Sequence, residues 1–239
     1  MSTHSIPRAT AAPDATGRTG ISHHWTWLVR GLAVGLVVPF VLTDLLELNR
    51  DLFYGLYALA VAGLFAAWAR STGYDLVAAI RRRWLLALAL GLLCAGVLAV
   101  MVLRTEDATA RPDGITLAAA VLWRGVLYGA TDGLLLSAFP ILVVFAAFAG
   151  SPLRQRLGGT LVVGGVALLA SLAMTAVYHA GYSDFRSTKV TKPIAGDVVW
   201  SIPTLVTLNP IGAPIAHAGM HASAVLHSYE TETFLPPHE

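Results

Sequence analysis

Three apolar stretches follow one another between Trp25 and Leu103, each long enough to cross a bilayer and each separated from the next by a short polar segment. A transmembrane helix needs about 20 mostly apolar residues to traverse a hydrocarbon core about 30 Å thick. Residues 25 to 46, 52 to 69 and 84 to 103 approach or meet that length, and 115 to 149 and 160 to 179 do so again further along. Only 13% of the residues are charged and 56% are hydrophobic, against about 25% charged in an ordinary soluble domain. Such a chain cannot cover itself with polar groups, so its solvent is expected to be lipid. Inside lipid, backbone groups must be satisfied within the chain, and the helical length of the runs predicts an all-α polytopic transmembrane bundle.

Loops set the expected orientation. Arg70, Arg81, Arg82 and Arg83 lie between the second and third runs, and arginine-rich loops favour the cytoplasm. Two crossings separate that loop from the amino terminus, which is therefore expected inside as well, in a bacterial cytoplasmic membrane. Residues 1 to 24, rich in Ser, Thr, Ala and Pro and without an apolar core, read as a disordered tail and not a signal peptide. Residues 25 to 228 form the expected transmembrane domain, and 229 to 239 an acidic, solvated tail. The net charge of +2 arises from short loops, with no basic footprint for nucleic acid. The single cysteine, Cys94, excludes a disulfide within the chain.

The stretch 115 to 149 is too long for one straight crossing, since about 35 residues at about 1.5 Å each exceed 50 Å. The Thr131-Asp132-Gly133 step and Pro140 are the candidate interruptions, giving two tilted helices or one long kinked one. Arg154 and Arg156 in the following loop favour a single crossing. Prolines 203, 210 and 214 predict short or re-entrant helices in the last third. The total is seven or eight spanning or partly spanning segments.

Ionisable groups within such segments are costly and mark functional candidates. Five stand out: Arg124, Asp132, His179, His217 and His221. His217 and His221, four residues apart, share one helix face, a spacing that also holds two ligands in zinc proteases. Arg124 needs a partner, and a kink near Gly129 or Gly133 brings Asp132 within its reach. His227 points elsewhere. Asp184 and Arg186 follow His179 closely, at the mouth of any such cavity, while Asp197 and Asn209 read as a helix-start carboxylate and a turn residue.

The segments Arg124-Gly-Val-Leu-Tyr-Gly129, Tyr178-His179-Ala180-Gly181 and Ala213-Pro-Ile-Ala-His217-Ala218 together resemble the CPBP intramembrane proteases, the family of the CAAX prenyl endopeptidases. That family carries Glu-Glu-x-x-x-Arg, Phe-x-x-x-His and His-x-x-x-Asn on an eight-helix bundle. The resemblance covers about residues 115 to 228 and implies a membrane-embedded peptide hydrolase, with Arg124, His179 and His217 at the motif positions. This chain departs from the pattern with Ala119 and Ala120 for the glutamates, Thr175 for Phe and His221 for Asn. Without the Glu pair, water must be activated otherwise, by Asp132 or by a divalent metal such as zinc on His179, His217 and His221. The expected partners are bilayer lipid and a membrane protein or peptide substrate. The alternative is a non-catalytic relative acting as a scaffold or binding lipid or protein. A small transporter, the third class, lacks the internal repeat common among such folds.

Overall fold

The structure is a computed structural model that describes residues 20 to 231 and 233 to 236. Among them the regular elements are all helical. In chain order, the helices are α1 (Ile21–Leu45), α2 (Arg50–Thr72), α3 (Leu76–Arg81), α4 (Trp84–Thr105), α5 (Gly114–Ala147), α6 (Leu157–Ala180), α7 (Thr191–Thr207) and α8 (Gly212–His227). Five of them, α1, α2, α4, α5 and α6, are long and apolar enough to cross a membrane. Helices α7 and α8, with 17 and 16 residues, are shorter. The first span begins at Ile21, four residues before the expected start, while the rest of the expected amino-terminal tail lies outside the described residues.

Local chemistry sets the helix ends. Asn49 caps α2 by accepting from Leu52 N–H at 3.0 Å, and Asp75 caps α3 by accepting from Ala78 N–H at 2.8 Å. Gly73 closes α2 in the left-handed region at φ 66°. Pro39 stands where the α-helix passes into the π-helical turn Phe40–Leu45.

Helix α5 resolves the long apolar stretch as one continuous helix. It widens twice into π-helical turns, Val121–Leu127 and Gly133–Ala138, the second starting directly after Asp132. The expected interruption at residues 131 to 133 is thus a change of winding and not a break. A single α5 places the 148–156 loop at the same end as the 73–83 loop and the start of α1, and these segments share one cavity. The α7–α8 turn joins them there, because the Asn209 amide donates to the carbonyls of Ile80 and Arg82 at 2.8 and 2.7 Å. Asn209 is therefore a buried tie between two loops, more than a turn former.

Helix α8 packs chiefly on α4 and α5. Gly125, Gly129 and Gly133, one turn apart along α5, meet Ala222, Ala218 and Pro214 of α8. A Cβ on Gly129 would stand 2.8 Å from the Cα of Ala218, and one on Gly133 would stand 2.6 Å from the Cα of Pro214. Backbones this close place the α5 and α8 side chains flanking the contact against each other.

The carboxy-terminal segment corrects one expectation. Thr231 is buried, and Phe234 and Leu235 pack into the apolar cluster formed by α4, α7 and α8. Two apolar residues in an otherwise polar segment bury enough surface to hold it down, so the described residues 229 to 231 and 233 to 236 are not a solvated tail.

Candidate functional site: a buried Asp-His cluster beside a cavity

Asp132 stands on α5 at the junction of the α-helical and π-helical stretches, while His217 and His221 occupy successive turns of α8. All three are buried, and one ligand atom from each lies within 4.8 Å of the others. His221 Nε2 is 3.4 Å from Asp132 Oδ2, close enough for attraction but outside hydrogen-bond geometry. Among the described residues, both ring nitrogens of His217 and of His221 lack a hydrogen-bond partner. Leaving a buried polar atom unpaired costs about 1–3 kcal/mol, so each imidazole has a ring nitrogen to offer a ligand. Donors around a tetrahedral zinc sit about 3.3 Å apart, so small side-chain movements would complete a three-ligand shell.

Asp132 is held from behind by the Tyr57 hydroxyl, which donates to Oδ1 at 2.8 Å. Tyr57 belongs to an aromatic group in which Tyr182 donates to Tyr178 at 2.6 Å and the Tyr128 and Tyr178 hydroxyls lie 2.9 Å apart. The Tyr128 ring meets His221 edge-on at 4.9 Å, and Trp200 of α7 lies 4.2 Å from the His217 ring. These contacts fix the imidazole planes.

A cavity of about 350 Å³ opens beside the cluster, with Asp132, His179 and His221 in its wall and Thr233, Phe234 and Pro236 at its outer rim. His179 is the third histidine of the expected metal set, yet the close trio contains Asp132 in its place. The His179 ring is tied by Nδ1 to the carbonyl of Thr175 at 2.8 Å, which directs it along its own helix. That bond requires the proton on Nδ1 and leaves Nε2 as an acceptor.

Arg124 does not join this group. Its guanidinium makes a two-pronged pair with Asp51 of α2, at 2.9 and 2.8 Å, where a partner in Asp132 was expected. The π-helical turn Val121–Leu127 carries it to the outer rim of α2, away from the face that bears Asp132. Arg186 pairs with Asp44 at 2.6 Å and also donates to the carbonyls of Ala180 and Gly181, fastening the loop after α6 to the end of α1.

A second polar centre was missed altogether. Asp197, read as a helix-start carboxylate, is fully buried within α7. Its Oδ1 accepts from Ser201, Ser137 and Ser171 at 2.7, 3.0 and 3.0 Å, and its Oδ2 from Thr175 at 3.0 Å. The signal was the i, i+4 pairing of Asp197 with Ser201 and of Ser171 with Thr175, two polar stripes inside otherwise apolar helices.

Comparison with family models, with curated proteins and with solved structures finds no match to this chain.

Proposed function

We propose that this is a membrane-embedded, metal-dependent hydrolase, distantly related to the CPBP proteases, acting on a peptide bond of a membrane-associated substrate. The observation that carries this reading is the convergence of Asp132, His217 and His221 within 4.8 Å, with four unpaired ring nitrogens, against a cavity. Two imidazoles and a carboxylate suit a zinc-class ion, which would supply a Lewis acid and lower the pKa of a bound water.

The remaining work falls to residues of the chain. Asp132, oriented by Tyr57, and His217 and His221, oriented by Trp200 and Tyr128, hold the ligand atoms in place. His179 faces the cavity with Nε2 free to accept, which makes it the general base that receives the proton of the attacking water. The apolar remainder of the wall, including Leu98, Met101 and Phe234, suits an apolar side chain next to the cleaved bond. Arg124 acts through Asp51 in holding α5 to α2 and has no place in the chemistry.

In this reading the shorter α7 and α8 complete a seven-segment bundle, in the cytoplasmic membrane of a bacterium. Among the described residues, the end formed by the 73–83 and 148–156 loops carries Arg81, Arg82, Arg83, Arg154 and Arg156 against the one carboxylate Asp75, while the other end mixes acids with Arg104, Arg111, Arg186, Lys189 and Lys192. The compact arginine cluster Arg81 to Arg83 supports an amino terminus in the cytoplasm and a cavity in the outer half.

The test is metal analysis of detergent-purified protein, with hydrolysis of a prenylated peptide and of a generic transmembrane peptide. About one equivalent of zinc in the parent, lost in His217→Ala together with activity, is the expected result. A metal-free parent that is also inactive would leave the non-catalytic scaffold, which the Tyr57–Asp132 bond favours by giving Asp132 a structural partner of its own.

A further inference from the structure

The Asp197 centre belongs to no part of that chemistry. It gathers oxygen atoms from α5, α6 and α7 in the middle of the bundle, and no Lys, Arg or His hydrogen bonds to it or pairs with it among the described residues. An ionised carboxylate buried without a counter-charge costs several kcal/mol even when hydroxyls surround it.

The oxygens make six mutual contacts of 2.7 to 3.0 Å: four between hydroxyls and the carboxyl, one between Ser171 and Ser201 at 2.9 Å, and one from Ser171 to the carbonyl of Leu136 at 2.8 Å. Each hydroxyl carries one proton, so Ser137, Ser171, Thr175 and Ser201 supply four. Ser171 alone touches three acceptors with a single proton to give. A proton on the carboxyl removes the uncompensated charge and supplies a fifth donor, which Asp197 can direct at Ser171 while Ser171 donates to Leu136. The spacings are those of O–H···O bonds.

We propose that Asp197 is a proton-binding site, a neutral carboxylic acid that joins α5, α6 and α7 while it holds its proton. Ionisable groups on the helices packed against α7 include Asp132 on α5, His179 on α6, Cys94 on α4 and His217 on α8, and none of these hydrogen bonds to the carboxyl. Lys192, on α7 itself, faces the cavity. Thr175 bridges the two polar centres: its hydroxyl donates to Asp197 and its carbonyl accepts from His179. Gly196 and Trp200, flanking Asp197 on α7, line the cavity. Loss of the proton therefore loosens the helix that carries His179, whether or not a metal is bound.

Infrared spectroscopy of the full chain in lipid nanodiscs tests this. The parent at neutral pH should show the carbonyl stretch of a protonated carboxylic acid, shifted in D₂O, absent from Asp197→Asn and retained in Asp132→Asn. Asparagine keeps a neutral donor and acceptor, so the melting temperature of Asp197→Asn should fall by only a few degrees. Ser201→Ala, which removes the shortest bond, should shift the band without abolishing it, and this holds the test open if Asp197→Asn does not fold. A parent without the band, or a band that survives in Asp197→Asn, overturns the proposal. So does a melting temperature that rises in NaCl over KCl at equal ionic strength and loses that rise in Asp197→Asn, since an ionised carboxylate coordinating sodium would then occupy the centre.

Discussion

The two buried aspartates sit in the same bundle and are treated in opposite ways. Among the described residues, Asp197 is enclosed by four hydroxyls from three helices, whereas Asp132 has one firm bond, from Tyr57, and faces two imidazoles whose nitrogens have no hydrogen-bond partner. Saturation rigidifies a polar centre; unspent capacity leaves it able to bind. The difference teaches that burial of an acid in a membrane bundle is not itself a sign of chemistry. What its neighbours leave unsatisfied is the sign.

Removing the carboxyl altogether should separate the two most strongly. Asp197→Ala leaves the buried hydroxyls of Ser137 and Thr175 without their partner and opens a cavity between three helices, a loss of about 3–5 kcal/mol, and should lower the melting temperature by about 10 °C or more. Asp132→Ala should cost far less stability and instead abolish metal binding. Thermal unfolding paired with zinc content on both variants measures this, and equal losses of stability would erase the contrast.

Gly129→Ala comes next. The new methyl meets the backbone of Ala218 and His217 at 2.8 to 2.9 Å, so α5 and α8 must part at a cost of about 1–3 kcal/mol. Because that contact sets the distance from Asp132 to the histidines, zinc affinity should fall at least tenfold while the Asp197 infrared band persists. A variant that keeps parental zinc affinity would show that the cluster does not depend on this approach.

Tyr57→Phe removes one buried hydrogen bond to a carboxylate and should cost about 1–2 kcal/mol, with metal binding weakened but not lost. Loss of stability as large as in Asp197→Ala would mean that Asp132 is as much a structural anchor as its counterpart. The smallest effect is expected for Asp51→Asn, at about 1 kcal/mol or less by urea or thermal unfolding, because Asp51 is half exposed and solvent screens its pair with Arg124. Its zinc content should equal the parent's, in keeping with Arg124 standing outside the site.

The helical class and the boundaries of the long runs were legible in the sequence, since apolar length decides helix formation in lipid whatever the neighbours are. His217 and His221 were legible as a pair, because their spacing is a property of one helix. The partner of Arg124 was not, for it lies 73 residues away on α2, and a π-helical turn that no local pattern announces decides which face the arginine takes. Nor was the exchange of His179 for Asp132 in the close trio. It follows from the approach of Gly125, Gly129 and Gly133 to α8, a four-residue glycine repeat that stood in the sequence as a signal and went unread.

The sequence by itself determined what the chain dissolves in and which side chains would be expensive to bury there, because both depend on composition along a single helix. Tertiary packing settles how each expense is met: the carboxyl of Asp197 by hydroxyls on three helices, the guanidinium of Arg124 by Asp51, Phe234 and Leu235 by the bundle wall, and the imidazoles of His217 and His221 by the Trp200 and Tyr128 rings and the nearby carboxylate of Asp132. Such partners lie far apart in the chain and meet through backbone packing, so the physical reason is that pairing energy depends on distance in space, which no periodicity within one helix encodes.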